Sequence, residues 1–140
     1  MTTCVFCKII NNEIPTERIF EDENVLAFMD IRPVSRGHAL VIPKKHSRDI
    51  LEADEQDLHK TILAARKIAD TITKATGAEG FTISTNRGEA AGQTVFHLHF
   101  HLIPRYVADG LQPWPHQETE HTTRAELAEL IKKQFTPTPK

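Results

Sequence analysis

The chain has 140 residues, 39% of them hydrophobic and 26% charged, with a net charge of -2 at neutral pH. That is the size and composition of one ordinary globular domain able to bury a core without disulfides; it excludes a disordered tail, a fibrous repeat and a nucleic-acid coat protein. No apolar stretch approaches the ~20 residues that cross a bilayer, and MTTCVFCKII lacks the charged start and long apolar run of a secretory signal, so a cytoplasmic location without a membrane partner is expected.

At the start of the chain, Val5, Phe6, Ile9 and Ile10 are spaced as one face of a short helical turn that Asn11, Asn12 and Pro15 bring to an end. ERIFED (17–22) and VLAFMD (25–30) read as strands joined by the polar tip Asp22-Glu23-Asn24. Arg32-Pro33 and Arg36-Gly37 mark a loop, and His38 to Ile42 form a third strand stopped by Pro43. The basic run at 43–48 reads as a solvated rim. A long helix is predicted from the N-cap Asp54 to Gly77, with acidic Glu55 and Asp57 in its first turn and an apolar stripe of Leu58, Ile62, Ala65, Ala69 and Ile72. GFTISTN (80–86) offers a fourth strand, and the loop NRGEAAGQT (86–94) leads into FHLHFHLIPR (96–105).

Read as a strand, this last segment puts His97, His99 and His101 on one side and Phe96, Leu98, Phe100 and Leu102 on the other. Beyond Pro104 the chain is irregular until Thr123-Arg-Ala-Glu126, a capping box opening a second helix with Leu127, Leu130, Ile131 and Phe135 on one side; the final TPTPK is expected to fray. Strands grouped together with few helices predict an α+β domain with a mainly antiparallel sheet of about five strands. Residues 1–115 would form the main domain and 116–140 a C-terminal extension.

Three imidazoles in register give one face of an otherwise apolar strand groups that charge near neutral pH and are costly to bury unpaired. Two chemistries fit. His-x-His on a strand can chelate zinc, with a third ligand completing an open site. Alternatively the middle imidazole attacks phosphorus while its neighbours handle protons and oxygens. The adjoining loop favours the second, because Asn86, the backbone amides around Arg87-Gly88 and Gly92, the Gln93 amide and the Thr94 hydroxyl are suited to phosphate oxygens. Cys4-Val-Phe-Cys7 is either half of a zinc site or a pair of buried thiols, too close together to staple a domain. His59, His116 and His121 have no visible partners, and Trp114 between two prolines is a surface anchor or a local cap.

Gly92-Gln-Thr-Val-Phe-His97-Leu-His99-Phe-His101-Leu-Ile103 resembles the His-φ-His-φ-His-φ-φ motif, with φ apolar, of the histidine triad nucleotide hydrolases and transferases. Phe6-Cys-Lys-Ile-Ile10, Glu13-Ile-Pro15, Phe20-Glu-Asp22, Leu26-Ala-Phe28, Asp30-Ile31 and His38-Ala-Leu-Val-Ile-Pro-Lys-Lys-His46 are similar to the Hint branch in order and spacing, over about residues 3 to 115. The resemblance implies the histidine triad fold and a hydrolase of nucleoside 5'-phosphoramidates or related monophosphate derivatives. His99 would form a nucleotidyl-histidine, with its other nitrogen held by the His97 carbonyl, while His101 meets the phosphate or the leaving group. His38, Asn86, Gly92, Gln93 and Thr94 would surround the phosphate, Asp30 would hold the ribose hydroxyls, and Phe6, Ile9, Phe28 and Ile31 would line the base pocket.

By the same resemblance, Cys4, Cys7, His46 and His97 would form a closed structural zinc site, and removing the metal would slow the enzyme only through lost stability. No organic cofactor is implied; the partners would be a purine nucleotide such as an AMP derivative and a second copy of the chain, whose C-terminal segment reaches the neighbouring site. Met29 stands where some relatives have histidine, and Arg105 resembles the dinucleoside polyphosphate hydrolases, which makes such hydrolysis the in-class alternative. A nucleotide-binding, zinc-stabilised interaction protein with vestigial activity is the alternative outside the class.

Overall fold

The structure, a computed structural model, describes residues 3–135, so the expected fraying of the TPTPK tail lies outside the described residues. They divide between residues 109 and 110 into two units, each described by itself; the expected boundary at 115 falls six residues later. Among the described residues no helix is long and apolar enough to cross a membrane.

In the first unit, helix α1 (Val5–Ile10) precedes strands β1 (Arg18–Glu21), β2 (Val25–Met29) and β3 (Ala39–Pro43), the long helix α2 (Glu55–Thr76), and strands β4 (Gly80–Ser84) and β5 (Phe100–Arg105). The strands form one antiparallel sheet in the order β1-β2-β3-β5-β4. The β1–β2 hairpin is closed by Asp22, whose Oδ1 accepts the N–H groups of Asn24 and Val25 at 2.8 Å each.

Alternation along the strands sorts the core into two layers. On one face Val25, Ala27, Ala39, Val41 and Leu102 pack against Ala64, Ala65, Ile68, Ala69 and Ile72 of α2. On the other, Leu26, Phe28, Leu40 and Ile42 pack against Phe6 and Ile9 of α1. The cross-strand pair Leu40–His101 places His101 on the α1 face, whereas Ala39–Leu102 and Val41–Phe100 place Phe100 and Leu102 on the α2 face. One sheet face is therefore set aside for the histidines.

Three sequence expectations are corrected within this unit. The apolar stripe of α2 is rotated: Ile62 is 47% exposed and Thr61 is fully buried, because the Thr61 hydroxyl donates to the Asp57 carbonyl at 2.6 Å and so satisfies itself inside the helix. Asp54 occupies the N-cap position, but its carboxylate pairs with Lys45 and makes no capping bond. The third concerns the histidine segment, where the strand begins only at Phe100. On one side β3 stops at Pro43, which has no N–H to extend a ladder. On the other β4 stops at Ser84.

Gly37 turns the chain into β3 with a φ of +93°; an added Cβ would meet Pro104 Cγ at 3.1 Å, Thr76 Cγ2 at 3.2 Å and Ile72 Cγ2 at 3.3 Å. Strain and crowding act together here, so Gly37→Ala is expected to cost about 1–3 kcal/mol in urea unfolding. A midpoint equal to that of the unaltered chain would show that this corner relaxes freely.

The second unit consists of an irregular stretch and helix α3 (His121–Phe135). The helix starts two residues before the expected capping-box Thr123, with Arg124 N–H bonded to the Glu120 carbonyl at 3.2 Å, so Thr123 lies within the first turn. Its predicted apolar side exists, but Leu127, Leu130, Ile131 and Phe135 are all at least half exposed. Trp114, His116 and His121 are exposed.

Candidate functional site

Residues 97–99 are held without a ladder. Leu98 N–H donates to the Ser47 carbonyl at 2.8 Å, the Thr85 hydroxyl donates to the His99 carbonyl at 2.8 Å, and the His97 ring bonds the Pro43 carbonyl at 2.8 Å. Ser47 and Thr85 carry no sequence signal for these roles, which arise from where β3 and β4 end. The result is a buried stretch of chain in which His97 is fully buried and His99 is 7% exposed.

The ring nitrogens can be assigned from what each one faces. His99 Nδ1–H donates to the His97 carbonyl at 2.7 Å, which leaves Nε2 bare and, among the described residues, unbonded. His97 Nε2–H donates to the Pro43 carbonyl, which leaves its Nδ1 bare. Val34 N–H donates to His38 Nδ1 at 3.0 Å, so His38 carries its proton on Nε2, donates it to His101 Nδ1 at 3.0 Å, and leaves His101 with a donor at Nε2. Asp30 Oδ2 lies 3.5 Å from His38 Nε2. Burial pushes His97 and His101 down to about 4 and lowers His99 and His38 as well, the His97 and Asp30 oxygens opposing part of the effect at His99. The shifts favour the neutral ring at all four positions.

His99 and His101, with ring centroids 5.1 Å apart, stand in the wall of a cleft of about 500 Å³. Phe6, Ile9, Phe28, Leu40 and Val95 supply its apolar lining and Asp30, His38 and Thr94 its polar side. Phe6 stands edge-on to Phe28, His97 and His99 at centroid distances of 5.5, 5.9 and 5.1 Å. The other expected residues are distributed less uniformly. Ile31 is on the rim at 85% exposure. Asn86, Gly92 and Gln93 are not part of the wall. The Gln93 amide is spent internally, its oxygen accepting Gly88 N–H at 2.8 Å and its nitrogen donating to the Arg48 and Val95 carbonyls at 2.8 and 3.0 Å. It braces the loop rather than facing a ligand. Arg105 is likewise engaged, with Asp109 at 2.8 and 3.1 Å, at the far end of β5. Val5, Ile14, Thr16, Arg32 and Val34, which sequence reading did not assign to the site, also line the wall.

A second depression of similar volume is lined by Arg48, Asp49, Glu52 and Arg87. Its charges serve one another: Arg87 Nε is 3.4 Å from Asp49 Oδ2, and the Arg48 guanidinium lies over the Phe96 ring.

Two groups of metal-binding side chains converge, and their hydrogen bonds separate them. At Asp30, His38 and His101, the Val34 N–H already occupies His38 Nδ1, so a bare Nε2 for a metal would require an imidazolate. That group is a proton-holding pair. At Cys4, Cys7, His46 and His97, the bare Nδ1 of His97 is 3.4 Å from Cys4 Sγ, 3.6 Å from Cys7 Sγ and 3.1 Å from His46 Nδ1, with Cys7 Sγ 3.4 Å from His46 Nδ1. Bond lengths of 2.0–2.3 Å in a tetrahedron put ligand atoms about 3.3–3.8 Å apart; the three sulfur–nitrogen distances fall in that range and the nitrogen–nitrogen distance is slightly short of it, so these four donors fit zinc with a small spreading of the two rings. The expected Cys₂His₂ set is brought together from α1, the end of β3 and the histidine segment.

Comparison with known proteins agrees with this geometry. A family model described as the HIT domain matches residues 11–108. A crystal structure of a Streptococcus mutans protein superposes with a TM-score of 0.90 at 44% identity, covering 97% of this chain and 87% of that one. A zinc-bound histidine triad family protein from Mycobacterium smegmatis superposes with a TM-score of 0.76 at 39% identity, covering 94% and 97%. Adenylylsulfatase HINT3 of Arabidopsis thaliana is 42% identical over 108 residues, which are 77% of this chain and 55% of that protein.

Proposed function

This chain belongs to the histidine triad (HIT) family of nucleotide hydrolases and transferases, and we propose that it cleaves nucleoside 5'-phosphoramidates or related nucleoside monophosphate derivatives through a nucleotidyl-histidine at His99. The observation that carries this reading is the His99 ring itself. Its proton is committed to a carbonyl on one side and a bare nitrogen is left in the cleft wall on the other.

In this reading Nε2 attacks the α-phosphorus, the phosphorus–nitrogen bond breaks, the amine leaves with a proton from water, and a second water releases the nucleotide. His101 Nε2–H donates a hydrogen bond to a phosphoryl oxygen. It is less suited to giving the proton away, since its Nδ1 is only an acceptor and full transfer would leave an imidazolate. Thr94 adds a hydroxyl on the same side, and Phe6, Ile9 and Phe28 enclose the base. Cys4, Cys7, His46 and His97 would hold zinc as a closed cross-link between α1 and the histidine segment, with no vacant position for substrate.

Asp30 is assigned to the ribose because one carboxylate oxygen accepts Arg32 N–H at 2.8 Å and holds the group still, leaving the other to accept from a hydroxyl. Asp30→Asn keeps the first bond and removes the charge. It is expected to raise KM about tenfold with kcat changed less than about threefold, as a charged hydrogen bond is worth ~1.5–3 kcal/mol; a kcat loss exceeding the KM rise would remove the ribose assignment. A homodimer is part of the proposal, supported by β4, an edge strand whose Ile83 is 46% exposed.

The test is direct: adenosine 5'-phosphoramidate should yield AMP, and protein quenched during turnover should carry a nucleotide on His99 by mass spectrometry. Turnover with an unmodified His99 would exclude the covalent route. Rapid hydrolysis of dinucleoside polyphosphates alone would move the substrate to that class.

A further inference from the structure

The cluster that fits zinc and the nucleophile meet in one residue. The side chain of His97 faces Cys4, Cys7 and His46 through Nδ1 and Pro43 through Nε2, while its carbonyl takes the Nδ1–H of His99. The peptide bearing that carbonyl lies outside any strand; its own Leu98 N–H donates to the carbonyl of Ser47, the residue after His46, at 2.8 Å, so its orientation depends on that bond and on what grips the His97 side chain. A second connection runs through α1. That helix has six residues, too few to persist alone; Cys4 caps it and its Phe6 packs against the rings of both His97 and His99.

We infer that Cys4, Cys7 and His46 are positioning residues for the reaction: by holding a metal ion together with His97 they orient the His97 carbonyl, which keeps the His99 proton on Nδ1 and its Nε2 bare. The inference rests on the reading of His99 as the nucleophile. Which nitrogen of an imidazole carries the proton is decided by the hydrogen bond the ring makes, and here a single carbonyl decides it. If that carbonyl turns, the proton can settle on Nε2, and a protonated Nε2 cannot attack phosphorus. The rest of the cleft would be less affected, because Phe28, Asp30 and Leu40 stand on or beside sheet strands away from the cluster, and Phe6 and Ile9, which share α1 with the cysteines, also pack on Leu26, Phe28, Leu40 and Ile42. Metal loss should therefore remove nucleophilicity more than nucleotide affinity, beyond any effect on stability.

His46 is the exposed member of the cluster and is not part of the cleft wall, which makes it the position to vary. Zinc-loaded unaltered protein, His46→Asn and His46→Cys, the last keeping four zinc-type ligands, are compared by ¹H–¹⁵N spectra of the imidazole rings, by kcat and KM, and by AMP binding. In the unaltered protein and His46→Cys, His99 should show one protonated and one bare nitrogen. In His46→Asn the two signals should approach each other, with kcat reduced about tenfold or more and the AMP Kd changed less than about threefold. If His46→Asn does not fold, unaltered protein stripped by a chelator gives the same readings. An unchanged His99 tautomer and unchanged kcat, measured well below a lowered melting point, would overturn the inference and leave the cluster purely structural. Absence of turnover in the loaded, unaltered protein would instead remove the hydrolase reading, and the spectra would still decide whether the cluster sets the tautomer.

Discussion

Replacing His99 with alanine is expected to lower kcat by about 10⁴-fold or more while leaving the Kd for AMP within about threefold. The asymmetry follows from where the contacts lie. The groups assigned to nucleotide binding, Asp30, Thr94 and the rings of Phe6 and Phe28, belong to other parts of the cleft wall. In the proposed reading the imidazole instead contributes the bare nitrogen in the cleft wall that attacks phosphorus. Its loss leaves the His97 carbonyl without its donor and Phe6 without an edge-on partner at 5.1 Å, so a fall in stability of about 1–3 kcal/mol is also expected. Single-turnover kinetics with adenosine 5'-phosphoramidate, run beside AMP calorimetry and a urea titration, separate the two effects. Activity within tenfold of the unaltered chain would mean that another group attacks phosphorus. Loss of AMP binding in a folded variant would mean that the ring is chiefly a binding element.

Stripping zinc is expected to lower the melting temperature by roughly 15 °C. A metal held by the folded chain alone, at free concentrations a thousandfold above its Kd, stabilises by about 4 kcal/mol, and in a unit of this size each kcal/mol shifts the midpoint by roughly 4 °C. The loss should stop short of complete unfolding because two apolar layers remain on the sheet, unlike a small zinc finger that has no other core. Cys7→Ser should reproduce most of the shift, and added zinc should not restore it. A midpoint that ignores both chelator and Cys7→Ser would show that the four side chains converge for some reason other than a metal. The measurement is a thermal scan with and without chelator, with metal content read by elemental analysis.

The hairpin, the long helix ending at Gly77 and the five-stranded antiparallel sheet were legible because local signals agreed with tertiary demand: an Asx turn at Asp22, a left-handed glycine at φ +73°, and short apolar runs bounded by turn residues in β2 and β3. Legibility failed where a polar side chain meets its own needs locally. Thr61 enters the core because its hydroxyl bonds back along the helix, and Gln93 looked like a phosphate ligand until its amide proved to be shared among three backbone groups. Asp54 sits at the N-cap, yet a nearby lysine captures its carboxylate. Residue type announces capability, and neighbours decide its use.

By itself the sequence determined that three imidazoles would stand at every second position beside an apolar layer, that the chain belongs with the histidine triad proteins, and that two cysteines would need distant partners; spacing and side-chain chemistry are local properties. Only the tertiary structure decided what each histidine does. His97 and His99 leave the ladder because Pro43 has no N–H to give and β4 ends at Ser84, and the side-chain and loop contacts that replace the ladder then assign every ring proton. Identical residues two apart in the chain thereby come to present a bare Nδ1 beside two cysteines, a bare Nε2 in the cleft wall and an Nε2–H donor, the geometry on which their proposed roles rest. Proton positions follow from partners that the fold supplies from residues 34, 43, 47 and 85, and no spacing rule contains them.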